Sequence, residues 1–273
     1  MPTPALSLIV TCKGRLRHLK ETLPAMAAQP GAETIVVDVD CPEGTAEWVG
    51  RALPQVRVVR LENEPLFNIA RARNHGAAAA RTDRFAFVDA DSLLHADFAE
   101  AAVAAVGPGT YAQCVHGRKQ LMGCVVVPRS AFEAVQGYDP VFQGWGGEDR
   151  DFYRRVERLG LRRVELAPHL LGCIHHGEEL RTQFHRIQDR HDAWQINRLY
   201  FEVKHGLLAL VGEDAPLEVR QRMYAEVEAE FFAARAAGRP PSCSVSLGWQ
   251  PLVPHMEFER VLTLRVRRAG APR

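Results

Sequence analysis

Residues 85 to 91 read Phe85-Ala86-Phe87-Val88-Asp89-Ala90-Asp91, four apolar residues followed by two carboxylates that flank one alanine. A short apolar run bounded by polar residues is the pattern of a strand buried on both faces, as in a parallel sheet. Its surroundings repeat the design. Leu6 to Val10, Thr34 to Val37 and Val56 to Leu61 are further β-branched runs, and helical patterns over Leu16 to Met26, Thr45 to Leu53 and Ile69 to Ala80 alternate with them. That alternation predicts βαβ crossovers, and hence an α/β fold with a mostly parallel sheet covered on both faces. Ligands of such sheets bind beyond the carboxyl ends of the strands. Thr11-Cys12-Lys13, Asp38-Val39-Asp40 and Asp89-Ala90-Asp91 each follow one of the runs, so they are expected to converge on one edge.

Farther along, Ala96 to Val106 reads as a helix and Gly123 to Val127 as a strand ending at Pro128. The stretch from Glu178 to about Ala237 is helical and charged, with a break near Gly212 and Pro216, which predicts a two-helix annex. Gly238-Arg239-Pro240-Pro241 then sets off a tail, whose Val261 to Val266 run has strand character but no assigned place. The expected division is a first domain over 1–177, a helical annex over 178–237 and a tail over 238–273.

Composition narrows the classes of function. Hydrophobic residues make up 47% of the 273 residues and charged residues 25%, which argues against disorder. With 34 basic and 33 acidic residues, no global field attracts nucleic acid or an anionic membrane, so an anionic ligand needs a local site. The six cysteines are irregularly spaced and form no C-x-x-C pair, which reads as reduced thiols. No signal-peptide pattern or membrane-length apolar run is present, and the expected address is the cytoplasm.

Three clusters carry chemistry. Asp89 and Asp91 leave a buried strand at its functional end, and a hard divalent cation takes oxygen ligands that substrate phosphates complete. Gly144-Trp145-Gly146-Gly147-Glu148-Asp149-Arg150-Asp151 is more specific, because its glycines permit close approach of a ligand just before a helix begins. An acidic first turn also caps a helix, but capping requires no glycine-rich loop around a tryptophan. In the active reading, one carboxylate takes the proton of an attacking hydroxyl and the other holds the acceptor. The third cluster, Cys173-Ile174-His175-His176, brings a thiol and an imidazole within reach of one metal, with core packing of Cys173 as the competing account. Arg71, Arg73 and Asn74 lie on the helix after Phe67-Asn68 and are candidate phosphate or nucleotide contacts.

In this order the clusters resemble the nucleotide-sugar glycosyltransferases of the GT-A fold, a Rossmann-like architecture. Asp38-Val39-Asp40 and Phe67 to Asn74 look like the broad family 2 enzymes. Gly123 to His176 resembles the β1,4-galactosyltransferases and related chondroitin-type polymerases, whose G-W-G-G-E-D block stands intact at Gly144 to Asp149. The resemblance covers about residues 5 to 185. It implies a UDP-sugar donor, a glycan, peptide or small-molecule acceptor, and Mn²⁺ or Mg²⁺ as cofactor. Asp91 and His176 would be metal ligands, with Cys173 where the galactosyltransferases carry a methionine. Asp149 takes the place of the base and Glu148 that of the acceptor-binding neighbour. Thr11, Lys13, Arg15, Asp38, Asp40, Arg71, Asn74, Asp89, Gly123 and Trp145 fall in the donor site. Two departures stand out: Ile69 occupies the place of an arginine, and Leu121 that of an aromatic which narrows the donor pocket, so a bulkier N-acetylated sugar is admitted. The rival readings are a nucleotidyltransferase or phosphohydrolase on the same carboxylates, and a sugar-binding module without activity.

Overall fold

Period-two burial builds the first part of the molecule. In the computed structural model, which describes residues 4–177, 179–248 and 259–265, the chain forms two units that divide between Arg190 and His191. The first unit opens with β1 (Leu6–Cys12), α1 (Leu16–Ala27), β2 (Ala32–Val39), α2 (Thr45–Ala52), β3 (Arg57–Leu61), α3 (Ile69–Ala79) and β4 (Arg84–Val88). It continues with β5 (Ser92–Leu94), α4 (Phe98–Ala105), β6 (Thr110–Gln113), β7 (Val125–Pro128), α5 (Arg129–Ala134), α6 (Glu148–Arg158), β8 (Arg162–Glu165) and β9 (Leu171–Cys173).

Seven of these strands form one sheet in the order β3-β2-β1-β4-β7-β6-β8. Pairings β1 with β2, β1 with β4, β2 with β3 and β6 with β8 are parallel, whereas β7 runs antiparallel to both β4 and β6. The mostly parallel sheet expected from the sequence is therefore present. Leu6, Leu8, Val10, Val36, Ala86, Val88 and Val126 point to one core, which α1, α2 and α4 cover through Leu19, Leu23, Met26, Val49 and Phe98. Ile9, Ile35, Val37, Phe85, Phe87, Val125 and Val127 point to the other, covered by α3, α5 and α6 through Ala70, Ala77, Phe132, Phe152 and Val156. Alternate residues thus serve opposite cores, which is what a strand buried on both faces requires.

Three features lay beyond the sequence reading. Strands β6 and β8 are short, and β8 is largely exposed, so neither carries an apolar run. The β5–β9 pair, with Ser92 opposite Cys173 and Leu94 opposite Leu171, is a small separate sheet. The first unit also extends past residue 177 to Arg190. Beyond a 3₁₀ turn at Glu179–Arg181, the segment reaches back, with Phe67 N–H donating to the Phe184 carbonyl at 2.8 Å.

The second unit holds α7 (Arg190–Val211) and α8 (Leu217–Ala236), which the Gly212 to Pro216 break joins as expected. Helix α7 buries Ile196, Tyr200, Val203 and Leu207, the stripe of an amphipathic helix, and α8 buries Tyr224, Val227 and Phe231. A buried hydrogen bond of 3.0 Å from the Tyr224 hydroxyl to Asn197 fixes their register. The tail adds β10 (Ser242–Gly248) and β11 (Glu259–Arg265), an antiparallel pair. Val266 lies outside the described residues. Among the described residues, no helix is long and apolar enough to cross a membrane.

Candidate active site

The topology brings the three acidic clusters to one edge. Strands β1, β2 and β4 are parallel and end at Cys12, Val39 and Val88, while β7 enters from that edge because Val125 pairs with Phe87. Gly123, just ahead of β7, therefore meets Asp89, just past β4. A Cβ at Gly123 would lie 2.9 Å from Asp89 Oδ2 and 3.0 Å from Arg73 Nη2, so a side chain there would push against the Asp89–Arg73 pair.

Arg73 is the centre of this cluster. Helix α3 buries Ala70, Arg73 and Ala77 on the face turned to the sheet, which places the guanidinium under the site with its side chain 2% exposed. It donates to Asp149 Oδ1 at 2.5 Å, to Asp89 Oδ1 at 3.1 Å and to the Gly123 carbonyl at 2.9 Å. Its cation also lies 4.9 Å from the Tyr138 ring centre, and that ring stacks on Phe152. Burial opposes the charge, but Asp149, Tyr138 and Asp89 outweigh it and raise the Arg73 pKa well above its usual value. One buried cation thereby ties the Asp89 turn to the first turn of α6.

Asp149 remains 20% exposed beside Arg73. Its neighbour Glu148 is buried, and desolvation, followed by the Asp149 charge, pushes its carboxyl up to about 8. Glu148 is thus the buried acid that keeps its proton at neutral pH, next to the Asp149 side chain that pairs with Arg73. The third acid of the turn, Asp151, is fully buried and takes Arg155 Nε at 2.8 Å, while Arg155 holds the Gly137 carbonyl at 2.7 Å. Gly144, Gly146 and Gly147 before the helix all have positive φ, a conformation that glycine adopts without strain. Between them the Trp145 ring lies 4.1 Å from the Arg190 guanidinium.

On the other side of the D-x-D, the β5–β9 pair delivers His176 to Asp91. Ile174 N–H donates to the Asp91 carbonyl at 2.8 Å, and His176 Nε2 lies 2.9 Å from Asp91 Oδ2. Nδ1 of the same ring is 2.9 Å from the Gly177 carbonyl, an acceptor only, so Nδ1 carries the proton. In the neutral ring, Nε2 then presents a lone pair that takes Arg15 Nη1–H at 2.7 Å and faces a carboxylate oxygen. An imidazole and a carboxylate turned toward each other as acceptors, the imidazole oriented by a backbone carbonyl, form a donor set that fits a divalent cation. Cys173 lies apart from this pair, because β9 seats it opposite Ser92 and against the apolar core, and among the described residues no three His, Cys, Asp or Glu side chains group together.

The remaining donor-site expectations fall into two groups. Lys13 is buried and spends its three protons on the carbonyls of Val39, Asp40 and Glu64, at 2.9, 2.9 and 2.8 Å. Asp38 accepts from Cys41 N–H and Ala46 N–H, and Asn74 exchanges both amide atoms with the Tyr138 backbone. Thr11 is buried beside Val37, and Leu121 packs into the core. These residues shape the walls. Asp40, with φ of 45°, and Arg71, paired with Glu64 at 2.6 Å, lie nearer the surface. Of the candidate contacts read on the helix after Asn68, Arg73 is the buried one, on the Ala70 to Ala77 stripe, whereas nothing in the sequence marked His18, whose ring lies 5.3 Å from that of His176.

Comparisons with known proteins bear on the fold that carries this cluster. Residues 7–130 match the family described as Glycosyl transferase family 2, and residues 111–183 match the N-terminal domain of galactosyltransferase. Among solved structures, the mannosyltransferase PcManGT from Pyrobaculum calidifontis, in complex with GDP-Man and Mn²⁺, is 19% identical with a TM-score of 0.56, covering 87% of this chain and 76% of its own. TarS from S. aureus in complex with UDP-GlcNAc is 14% identical with a TM-score of 0.59, covering 86% of this chain and 73% of its own. At such identities the likeness establishes the fold. No curated protein matches the chain by sequence.

Proposed function

We propose that this chain, a glycosyltransferase of the GT-A fold, moves a hexose or N-acetylhexosamine from a UDP-sugar to an acceptor hydroxyl with inversion at the anomeric carbon. The observation that carries this reading is the Arg73 bridge, which joins Asp89 of the D-x-D to Asp149 of the glycine-rich block. On this reading the donor end and the candidate base share one ion-paired cluster.

Asp91 and His176 would hold the cation, Mn²⁺ or Mg²⁺. When bound, it would neutralise charge on the departing nucleoside diphosphate. Asp89 faces the donor from the same turn. Asp149 takes the proton of the acceptor hydroxyl, and Arg73 fixes its orientation so that no reorganisation is needed at the moment of transfer. Glu148, protonated at neutral pH, donates a hydrogen bond to the acceptor and adds no second negative charge. Closure of the Trp145 loop excludes water, which otherwise competes as acceptor. A uridine donor follows from the resemblance and is supported by the UDP-GlcNAc complex of TarS, while the GDP-Man complex of PcManGT keeps guanosine in the panel to be tested. The acceptor is a glycan, a peptide side chain or a small metabolite, in the cytoplasm.

Asp149→Asn tests the reading. The substitution keeps shape and removes proton acceptance, so transfer by the folded protein should fall ~10²- to 10⁴-fold while nucleotide-sugar affinity in Mn²⁺ is retained. Wild-type transfer would make Asp149 a helix cap and move the base elsewhere.

A further inference from the structure

His176 Nε2 and Asp91 Oδ2 are 2.9 Å apart, and one side-chain cation lies against both. Arg15, in the turn after β1, brings Nη1 to 2.7 Å from Nε2 and 3.7 Å from Oδ2, while its Nη2 donates to the Leu180 carbonyl at 3.0 Å. With the guanidinium there, the His176 side chain is 3% exposed. Lys13, two residues earlier, gives all three of its protons to carbonyls and has none left for a ligand. Arg15 is held less firmly. Burial lowers its pKa although Asp91 and Asp89 favour its charge, so the cation is only partly compensated where it lies.

A neutral imidazole offers one lone pair besides its N–H. Nδ1 of His176 carries the proton that faces the Gly177 carbonyl, so the lone pair is on Nε2. It can accept the Arg15 N–H or bind a metal ion, and one excludes the other. Charge leads to the same exclusion, because a guanidinium within hydrogen-bond range of the ligands of a divalent ion is repelled by that ion, the more so in a partly buried site. We propose that Arg15 is the resident counter-cation of the Asp91–His176 pair, that it gives up this place when a divalent ion binds, and that the displaced guanidinium passes to the diphosphate of the nucleotide. The proposal rests on the metal site proposed above and adds a coupling between its two ligands.

Leaving costs Arg15 its hydrogen bonds to Nε2 and to the Leu180 carbonyl and puts a positive charge beside a second one. A divalent ion alone therefore binds against that cost. A diphosphate removes it, since its oxygens can accept from the freed guanidinium while they complete the shell of the ion. Ion and nucleotide then favour each other by the same factor in either order. Arg15 in this way keeps the pair closed to free divalent ions until the nucleotide arrives.

Titration of the full-length protein with Mn²⁺, followed by the paramagnetic resonance of the free ion, tests the exchange with and without UDP. Without UDP, Arg15→Met should bind Mn²⁺ about tenfold more tightly than wild type, because nothing has to leave. Arg15→Lys, whose ammonium lacks the fork that spans Nε2 and the Leu180 carbonyl, should shift the same way by less, and it serves if the methionine variant misfolds. Saturating UDP should raise Mn²⁺ affinity by a larger factor in wild type than in Arg15→Met. Loss of a merely structural arginine would weaken Mn²⁺ binding in both conditions. Affinity for Mn²⁺ alone that is equal to or below wild type in the Arg15 variants overturns the exchange, and an equal UDP factor overturns the passage to the diphosphate. Asp91→Ala separates these failures from that of the site. If it abolishes Mn²⁺ binding while the Arg15 variants behave as wild type, the metal site stands and Arg15 has no part in it. A gain in Arg15→Met that survives the added Asp91→Ala, or no Mn²⁺ binding by any of these proteins with UDP present, overturns the site and the exchange together.

Discussion

Asp38-Val39-Asp40 at the end of β2 and Asp89-Ala90-Asp91 after β4 are two D-x-D triplets at one edge of the sheet, yet their carboxylates have different partners. Asp38 is fully buried, and its two oxygens accept from the backbone of Cys41 and Ala46, so it folds the turn that starts α2. Asp89 and Asp91 are 29% and 13% exposed and face cations and an imidazole: Arg73 for the first, Arg15 and His176 for the second. A carboxylate whose lone pairs are spent on its own backbone is structural. One that stays partly exposed beside cationic side chains can take a ligand. The D-x-D pattern marks a position, and the partners decide its use.

Arg73→Met should have the largest effect on stability. It leaves Asp89 and Asp149 without their shared cation, and breaking a buried ion pair from one side costs about 3–5 kcal/mol. Chemical denaturation would show it, and transfer by the folded fraction should fall as well, because Asp149 loses its orientation. A variant as stable as wild type would mean that the two acidic turns are held apart from Arg73.

The two triplets should separate cleanly under the same substitution. Asp38→Ala strands two backbone N–H groups, each costing about 1–3 kcal/mol if it stays buried and unpaired, while turnover of the folded fraction persists. Asp91→Ala should change stability little and abolish the stabilisation by nucleotide that depends on Mn²⁺. Retained metal dependence in Asp91→Ala would remove the D-x-D from the site.

The strands of the sheet's centre were legible because they are buried on both faces, so apolar runs and the alternation with helices suffice to place them. Strands β5, β6, β8 and β9 were not, since each is three or four residues long and β8, Arg162-Arg163-Val164-Glu165, holds a single apolar residue. The placing of the acidic clusters at one edge could be read from the runs that precede them. Their wiring could not. Whether Lys13 meets a phosphate or three carbonyls depends on the loop after β3, where Glu64 lies, and that loop has no signal of its own. Arg71 and Arg73 differ only in helical phase, one exposed toward Glu64 and the other buried beneath the site. Assigning phase from the Ala70 to Ala77 stripe would have told them apart.

Glu148→Gln should give the smallest step, and it sharpens the comparison by asking whether a carboxyl can serve this site without charge. Unfolded, the group titrates near about 4.3, and in the folded protein burial and Asp149 bring it to about 8. Between these values the folded state keeps a proton that the unfolded state has released. Stability is therefore complete below the lower value and falls as pH rises toward the upper one, by up to about 1.4 kcal/mol per pH unit. The glutamine carries no such proton and keeps a donor in the same place. Its advantage over wild type in denaturation midpoint should grow with pH and level off above about 8, while acceptor affinity is retained. Parallel stability curves would show that Glu148 ionises as an ordinary carboxyl, and the hydrogen bond to the acceptor would then need another donor.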